Sequence, residues 1–222
     1  KTICTNLKIE KVEVRTEDDP DVQPYIQQIH TKWLKVEFPQ EFKVIQKYLQ
    51  ELIKTKLIEV QKNGYTSSLH LTKGELLGLQ IELHQKASGG ERDFPLLRSI
   101  SLIAEALKAE HAVELLETQG IKQLYNYFQR MQTEAPYTTT KALKNIVLDP
   151  NFKSAFYLTE ELIKKDIHHP KITLLQQLIE EEIKQNDQAK IIIFTQFRDS
   201  AEEIIKALPN TKNNIFVGQS KK

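Results

Sequence analysis

Between Pro39 and Ile167 the sequence repeats one signal. Apolar residues recur three and four positions apart, and glycine, proline or a capping residue breaks the pattern at short intervals. Phe42, Ile45, Leu49, Leu52, Ile53 and Leu57 make the first stripe, with Pro39 at its expected first helical position and Asn63-Gly64 as its stop. Thr72-Lys-Gly-Glu75 has the spacing at which a hydroxyl and a carboxylate satisfy each other's free N–H groups, so a second helix should start there and end at Ser88-Gly89-Gly90. A third is expected from Phe94 to Thr118, with Leu97, Ile100, Ile103, Ala104, Leu107, His111 and Leu115 turned inward and Gly120 as the stop. Shorter helices follow at Ile121–Thr133, Thr140–Leu148 and Pro150–Lys165. The last is capped by Asp149, and the hydroxyl-bearing loop Pro136–Thr140 precedes the middle one. The centre of this chain, from Pro39 to about Ile167, should therefore be a helical region.

The flanks read differently. Ile9–Val14 and Ile29–Phe38 partly alternate apolar and polar residues, as strands do, and the acidic, proline-containing stretch Glu17–Pro24 separates them. After the helical region a helix is expected at Pro170–Asn186, then a β-branched run at Lys190–Phe194 suited to a strand buried on both faces. A polar turn, Thr195-Gln196-Phe197-Arg198, leads into a helix with Ala201, Ile204, Ile205 and Leu208 inward and Asp199 or Ser200 as its cap. A last strand is expected at Asn214–Gly218. The fold class is therefore mainly α, a helical domain flanked by partial α/β segments. In open α/β sheets ligands gather at the carboxyl ends of strands, which makes Thr195–Arg198 a binding candidate; the same turn also serves simply as a strand end leading into a helix. Val217-Gly218-Gln219-Ser220-Lys221-Lys222 is a second candidate, since glycine and serine let backbone approach a phosphate, although it also reads as a loose tail.

Charge narrows the partners. The net charge is only +1, but it is unevenly spread. Lys32–Lys73 holds eight basic and four acidic residues, and Ile121–Lys165 seven and four. Glu10–Asp21 holds two and six, and Gly74–Gly120 four and eight. Two basic segments on a near-neutral chain can attract phosphate backbones, and the same alternation describes ordinary solvated helix faces. The single Cys4 excludes a disulfide framework within the chain and fits a reducing compartment. No apolar run reaches the ~18 residues of a membrane span, and Lys1 opens into mixed polar sequence rather than a secretory leader. The chain reads as a piece of something longer.

Catalytic chemistry is not evident. There is no G-x-x-x-x-G-K-[ST] phosphate loop, since Gly74 precedes Glu75 and Gly64 precedes Tyr65. Asp18-Asp19-Pro20-Asp21 is a turn, Glu180–Glu182 points in several directions around a helix, and His168-His169 has no further ligand at metal-binding spacing. His111 is expected as a hydrogen-bonded core residue and Cys4 as inert. No nucleophile, base and orienting group stand together, so no catalytic and no metal-binding residue is assigned.

Several segments carry a family resemblance. Ile191-Ile-Ile-Phe-Thr-Gln-Phe-Arg-Asp-Ser-Ala201 resembles motif IV of superfamily 2 helicases, which opens their second RecA-like domain. His169-Pro-Lys-Ile-Thr-Leu-Leu175 looks like the lead-in to that domain, and Phe216-Val-Gly-Gln-Ser-Lys221 resembles a segment after it. Ala112-Val-Glu-Leu-Leu-Glu-Thr-Gln-Gly-Ile121 and Asp19-Pro-Asp-Val-Gln-Pro-Tyr25 are similar to stretches of one branch, the archaeal Hef helicase–nucleases and the Fanconi anaemia group M and Mph-type helicases. The resemblance implies that residues 1–38 are the tail of a first RecA-like domain, 39–167 a thumb-like helical insert, and 168–222 the start of a second RecA-like domain, with motif IV at 191–198. It implies a part of an ATP-dependent DNA helicase or translocase, an ATP hydrolase of DNA repair and stalled-fork processing with room for a nuclease downstream. This part would recognise branched or forked DNA and be inactive by itself. ATP and Mg would belong to the full-length protein, and no cofactor to this chain. Its partners would be DNA and the other RecA-like segments of the same polypeptide, not a membrane. The setting would be the cytoplasm, by the nucleoid, in an archaeon or the nucleus in a eukaryote. By resemblance Thr195, Gln196, Arg198, Gly218, Gln219 and Ser220 would contact DNA. The +3 segment beside the threonine-rich loop adds Lys122, Arg130, Lys141, Lys144 and Lys153 as phosphate contacts. Two rivals stand beside this reading: a protein-interaction or spacer module between motor domains, and the insert of a double-stranded-RNA-sensing helicase.

Overall fold

The computed structural model describes residues 2–26, 29–165 and 169–218. Gln219, Ser220 and His168 lie outside them. The chain divides into two compact units, Lys1–Lys35 and Val36–Lys222. Among its described residues the first holds a short helix, α1 (Thr2–Asn6), and a 3-10 turn at Gln23–Tyr25. Most of its apolar residues are exposed, Trp33 among them.

The second unit is built on α2 (Gln40–Lys62), α3 (Lys73–Ser88), α4 (Phe94–Thr118), α5 (Ile121–Glu134), α6 (Lys141–Leu148) and α7 (Pro150–Lys164). Every residue of the first expected stripe is buried, joined by Val60. Pro39 is the N-cap rather than the first helical residue. Thr72 and Glu75 form the expected reciprocal cap of α3: the Glu75 N–H donates to Thr72 Oγ1 at 3.3 Å, and the Thr72 N–H to Glu75 Oε2 at 2.6 Å. Asp149 Oδ1 accepts from the Asn151 N–H at 2.9 Å and starts α7.

α4 corrects the inward set expected for it. Leu96, Leu102, Ile103, Ala106, Ala109, Val113 and Leu116 are buried with Leu115, whereas Leu97 is exposed and His111 is half in solvent beside Glu114 and Tyr127. The cause is position. α2, α3, α5 and α6 all pack on α4, so it has no single apolar stripe for periodicity to reveal. Phe128 of α5 is fully buried against Phe152 and Phe156 of α7, and α2 runs along both α4 and α7.

Two further helices, α8 (Pro170–Gln185) and α9 (Arg198–Ala207), pack on each other, and Gln176 Nε2 donates to the Ala207 carbonyl at 2.6 Å. The segments expected as strands at 9–14, 29–38, 190–194 and 214–218 form no strand among the described residues. A strand, unlike a helix, leaves its N–H and C=O groups to be paired by a neighbour, and no sheet is assembled around these runs. Phe194 and Phe216 are consequently 90% and 99% exposed. The architecture is mainly α.

Candidate nucleic-acid interface

The short helices α5, α6 and α7 pack on one another and present the five basic residues of the expected insert site, all exposed. On α6, Ala142, Leu143, Ile146 and Val147 face the core while Lys141 and Lys144 face solvent. On α7, Phe152, Ala155, Thr159 and Leu162 are buried and Lys153 is exposed. On α5 the buried residues are Ile121, Gln123, Leu124, Phe128 and Met131, which leaves Lys122 and Arg130 outward.

Arg130 is held. Its guanidinium lies 5.8 Å from the centre of the Tyr127 ring, and the Tyr127 hydroxyl donates to the Lys108 carbonyl at 3.3 Å. Burial pushes the Tyr127 hydroxyl pKa up to about 12, against the opposing charge of Arg130, so the ring stays a neutral platform. Lys122 differs from the others. It lines a cleft of about 840 Å³ against α8 and α9, together with Gln123, Lys206 and the carboxylates of Asp199, Glu202 and Glu203. That cleft carries more acidic than basic groups, which sets Lys122 apart from the other four.

A buried polar cluster fixes α6 and α7 on the bundle. Glu105 of α4 is fully buried, with Oε1 accepting from Asn145 Nδ2 of α6 at 2.9 Å and from Ser101 Oγ at 3.2 Å. Lys56 Nζ of α2 lies 3.2 Å from Glu105 Oε2 and 2.8 Å from Asp149 Oδ2 at the α6–α7 junction. Burial opposes the Lys56 charge most strongly, yet the hydrogen bond to Asp149 and the charges of Glu105 and Asp149 outweigh it, and its pKa is raised. One ammonium thus links three elements, and the basic helices sit where it holds them. Hydrophobic periodicity does not reveal this cluster. Its one trace is a glutamate and a lysine set within apolar stretches, Glu105 between Ile103 and Ala106, Lys56 beside Leu57.

The Thr195–Arg198 turn belongs to the α8–α9 region. Thr195 and Gln196 are exposed, and Arg198 opens α9 with its Nε 3.6 Å from Glu202 Oε1. Phe197, not Asp199 or Ser200, occupies the N-cap, and no side chain caps the helix. Gly218 is exposed, with no atom within 4 Å of where a side chain would begin.

His169 attaches α8 to the bundle. Its Nδ1 accepts from the Lys171 N–H at 3.2 Å, which leaves the proton on Nε2, 3.2 Å from the Glu117 carbonyl. Phe42 packs edge-on to the ring at 6.0 Å. Burial first, then the charge of Lys171, lowers the His169 pKa despite the Glu117 bond, so the ring is neutral. The position of His169 before Pro170 carries the cap signal, but not the contact with the end of α4.

Comparisons with known proteins converge on this architecture. A family described as "Putative ATP-dependent RNA helicase, helical bundle" matches residues 41–169. The chain is 37% identical over 225 residues to "Putative ATP-dependent RNA helicase MJ1505" of Methanocaldococcus jannaschii, covering 99% of this chain and 27% of that protein. It is 25% identical over 234 residues to the ATP-dependent DNA helicase fml1 of Schizosaccharomyces pombe, covering 99% of this chain and 28% of that one. The crystal structure of the Pyrococcus furiosus Hef helicase domain superposes with a TM-score of 0.78 at 34% identity, covering 99% of this chain and 46% of that chain. This chain therefore spans well under two thirds of each relative.

Proposed function

The chain belongs to the helical-bundle family of ATP-dependent helicases, in the branch that holds archaeal Hef and the fungal Mph1 and Fml1 helicases, and from that premise we propose that its α5–α7 face binds the phosphate backbone of branched or forked DNA. One observation carries the reading: Arg130, Lys141, Lys144 and Lys153 stand exposed on three mutually packed helices, two of which, α6 and α7, are tied to the bundle by the Lys56–Glu105–Asp149 cluster. Cations on a rigid support meet phosphates with little side-chain and loop ordering left to perform.

In this reading residues 1–38 end a first RecA-like domain, 39–167 are a thumb-like insert, and 168–222 begin a second RecA-like domain. Thr195, Gln196, Arg198, Gly218, Gln219 and Ser220 then contribute DNA contacts from the second domain, and Lys122 joins them where the acidic cleft allows. The whole protein is an ATP-dependent helicase of DNA repair and stalled-fork processing, working in the archaeal cytoplasm or the eukaryotic nucleus. ATP and Mg belong in this reading to the whole protein, since the sequence of this chain has no phosphate loop.

The test is an equilibrium titration of the chain against forked DNA, linear DNA and an RNA duplex across salt concentrations. The expected result is tighter binding to the fork. Lys141→Glu with Lys144→Glu should flatten the log–log salt slope by about two units, close to one per lost phosphate contact. Salt-insensitive binding, or a double variant with wild-type DNA affinity, overturns the proposal in favour of an interaction or spacer module. A preference for RNA duplex favours the RNA-sensor reading.

A further inference from the structure

We propose that Tyr137 is a stacking platform for an unpaired nucleotide and the residue that sets the preference for branched over linear nucleic acid. The inference rests on the α5–α7 reading given above and adds a base contact to its phosphate contacts. Tyr137 stands in the loop between α5 and α6 with 87% of its surface exposed. Its ring makes no aromatic contact and its hydroxyl no hydrogen bond among the described residues. A tyrosine left in water forgoes the stabilisation that burying its ring would bring.

The loop beneath the ring is not slack. The N–H groups of Tyr137 and Thr138 both donate to the Glu134 carbonyl, at 3.1 and 3.0 Å, and the Thr140 N–H donates to Thr138 Oγ1 at 3.1 Å. Ala135, only 7% exposed, anchors the turn in the core. The ring is thus offered on a backbone that is already ordered, which lowers the cost of holding a ligand there.

Basic residues lie to either side of it along the chain, with the exposed Glu134 nearer, at the end of α5. Lys141 follows four residues later, within ~14 Å along even a fully extended chain, and Lys144 lies one turn further on the exposed side of α6. Arg130 stands before the loop on α5, and Thr138, Thr139 and Thr140 supply hydroxyls between. Cations follow a phosphate backbone while an aromatic face takes a base, and the pairing needs no sequence preference because every base has such a face. In an unbroken duplex the bases are already stacked on one another. An unpaired nucleotide at a branch point has a free face.

Two other exposed aromatic residues of the α2–α7 bundle are set differently. Phe94, 80% exposed, lies beside Glu91 and Asp93 in the acidic segment. Tyr157 on α7 has Lys153 one turn before it and Glu160 and Glu161 one turn after.

The experiment uses the 222-residue chain, a forked DNA carrying a fluorescent purine analogue at the branch point, and a linear duplex of equal length. Tyr137→Ala should weaken fork binding about five- to a hundredfold, the range that base–aromatic stacking commands, with linear-duplex affinity and salt slope unchanged. Tyr137→Phe, which keeps the ring, should bind the fork as the wild type does and quench the analogue, which Tyr137→Ala should not. If Tyr137→Ala binds the fork normally while the Lys141→Glu/Lys144→Glu variant is weakened, the stacking inference falls and the phosphate reading stands. An equal loss on fork and duplex overturns it too. A wild-type chain that binds neither DNA removes both readings.

Discussion

The bundle from α2 to α7 and the region from α8 onward have similarly apolar sequences and opposite fates. In the bundle, Phe42, Leu49, Phe128 and Phe152 vanish from solvent; beyond it, Ile192 and Phe194 are 78% and 90% exposed. The difference lies in what each element needs from elsewhere. An α-helix satisfies its own backbone and asks only for an apolar neighbour, which the other helices supply. A β-branched run such as Ile191–Phe194 needs hydrogen-bonding partners along both edges, and a flanking helix cannot give them.

Single substitutions test this difference. The largest effect is expected at Lys56→Met, which leaves the Glu105 carboxylate buried without its cation; a loss of about 3–5 kcal/mol by urea denaturation is expected. A loss below about 1 kcal/mol would return the cluster to the class of near-neutral pairs. Phe128→Ala should cost a similar ~3–5 kcal/mol through a cavity beside Phe152, whereas Ile192→Ala should change stability by no more than about 0.5 kcal/mol. Equal losses at the two positions would erase the distinction between the regions.

Gly120→Ala probes their junction. Gly120 has a φ of +92°, and an added methyl would meet His169 Cβ at 3.0 Å, so a cost of about 1–3 kcal/mol is expected, with faster amide exchange at the start of α8. The smallest effect is on pH dependence. The folded pKa of His169 lies below its ordinary 6.5, so the folded state binds fewer protons than the unfolded one between those two values. Stability should be fully present above about pH 6.5 and decline as pH falls through the folded value. His169→Gln should flatten that decline; an unchanged profile in denaturation series from pH 7.5 to 5 would remove His169 as its source.

Most of the bundle could be read from the chain because its signals are local. The α2 stripe, the Thr72–Glu75 cap and the Asp149-Pro150 start each depend on residues within one or two turns. α4 resisted the same reading because helices surround it, which exposes Leu97 and buries Glu105. Of the candidate interface, the cations were visible as charge and the threonine loop as a break. That Lys122 stands in an acidic cleft while Arg130, Lys141, Lys144 and Lys153 sit on packed outer faces was not visible.

Neighbours along the chain were enough to set where most helices begin and end, which sides of most of them are apolar, and which segments resemble a helicase. Tertiary packing settled that Lys56 would join Glu105 to Asp149 across 49 and 93 positions, that His169 would cap one helix while touching the end of another, and that Tyr137 would stand 87% exposed. Such contacts between distant positions follow from how the helices pack, and a buried charge or an exposed ring gains its meaning from what packing sets beside it.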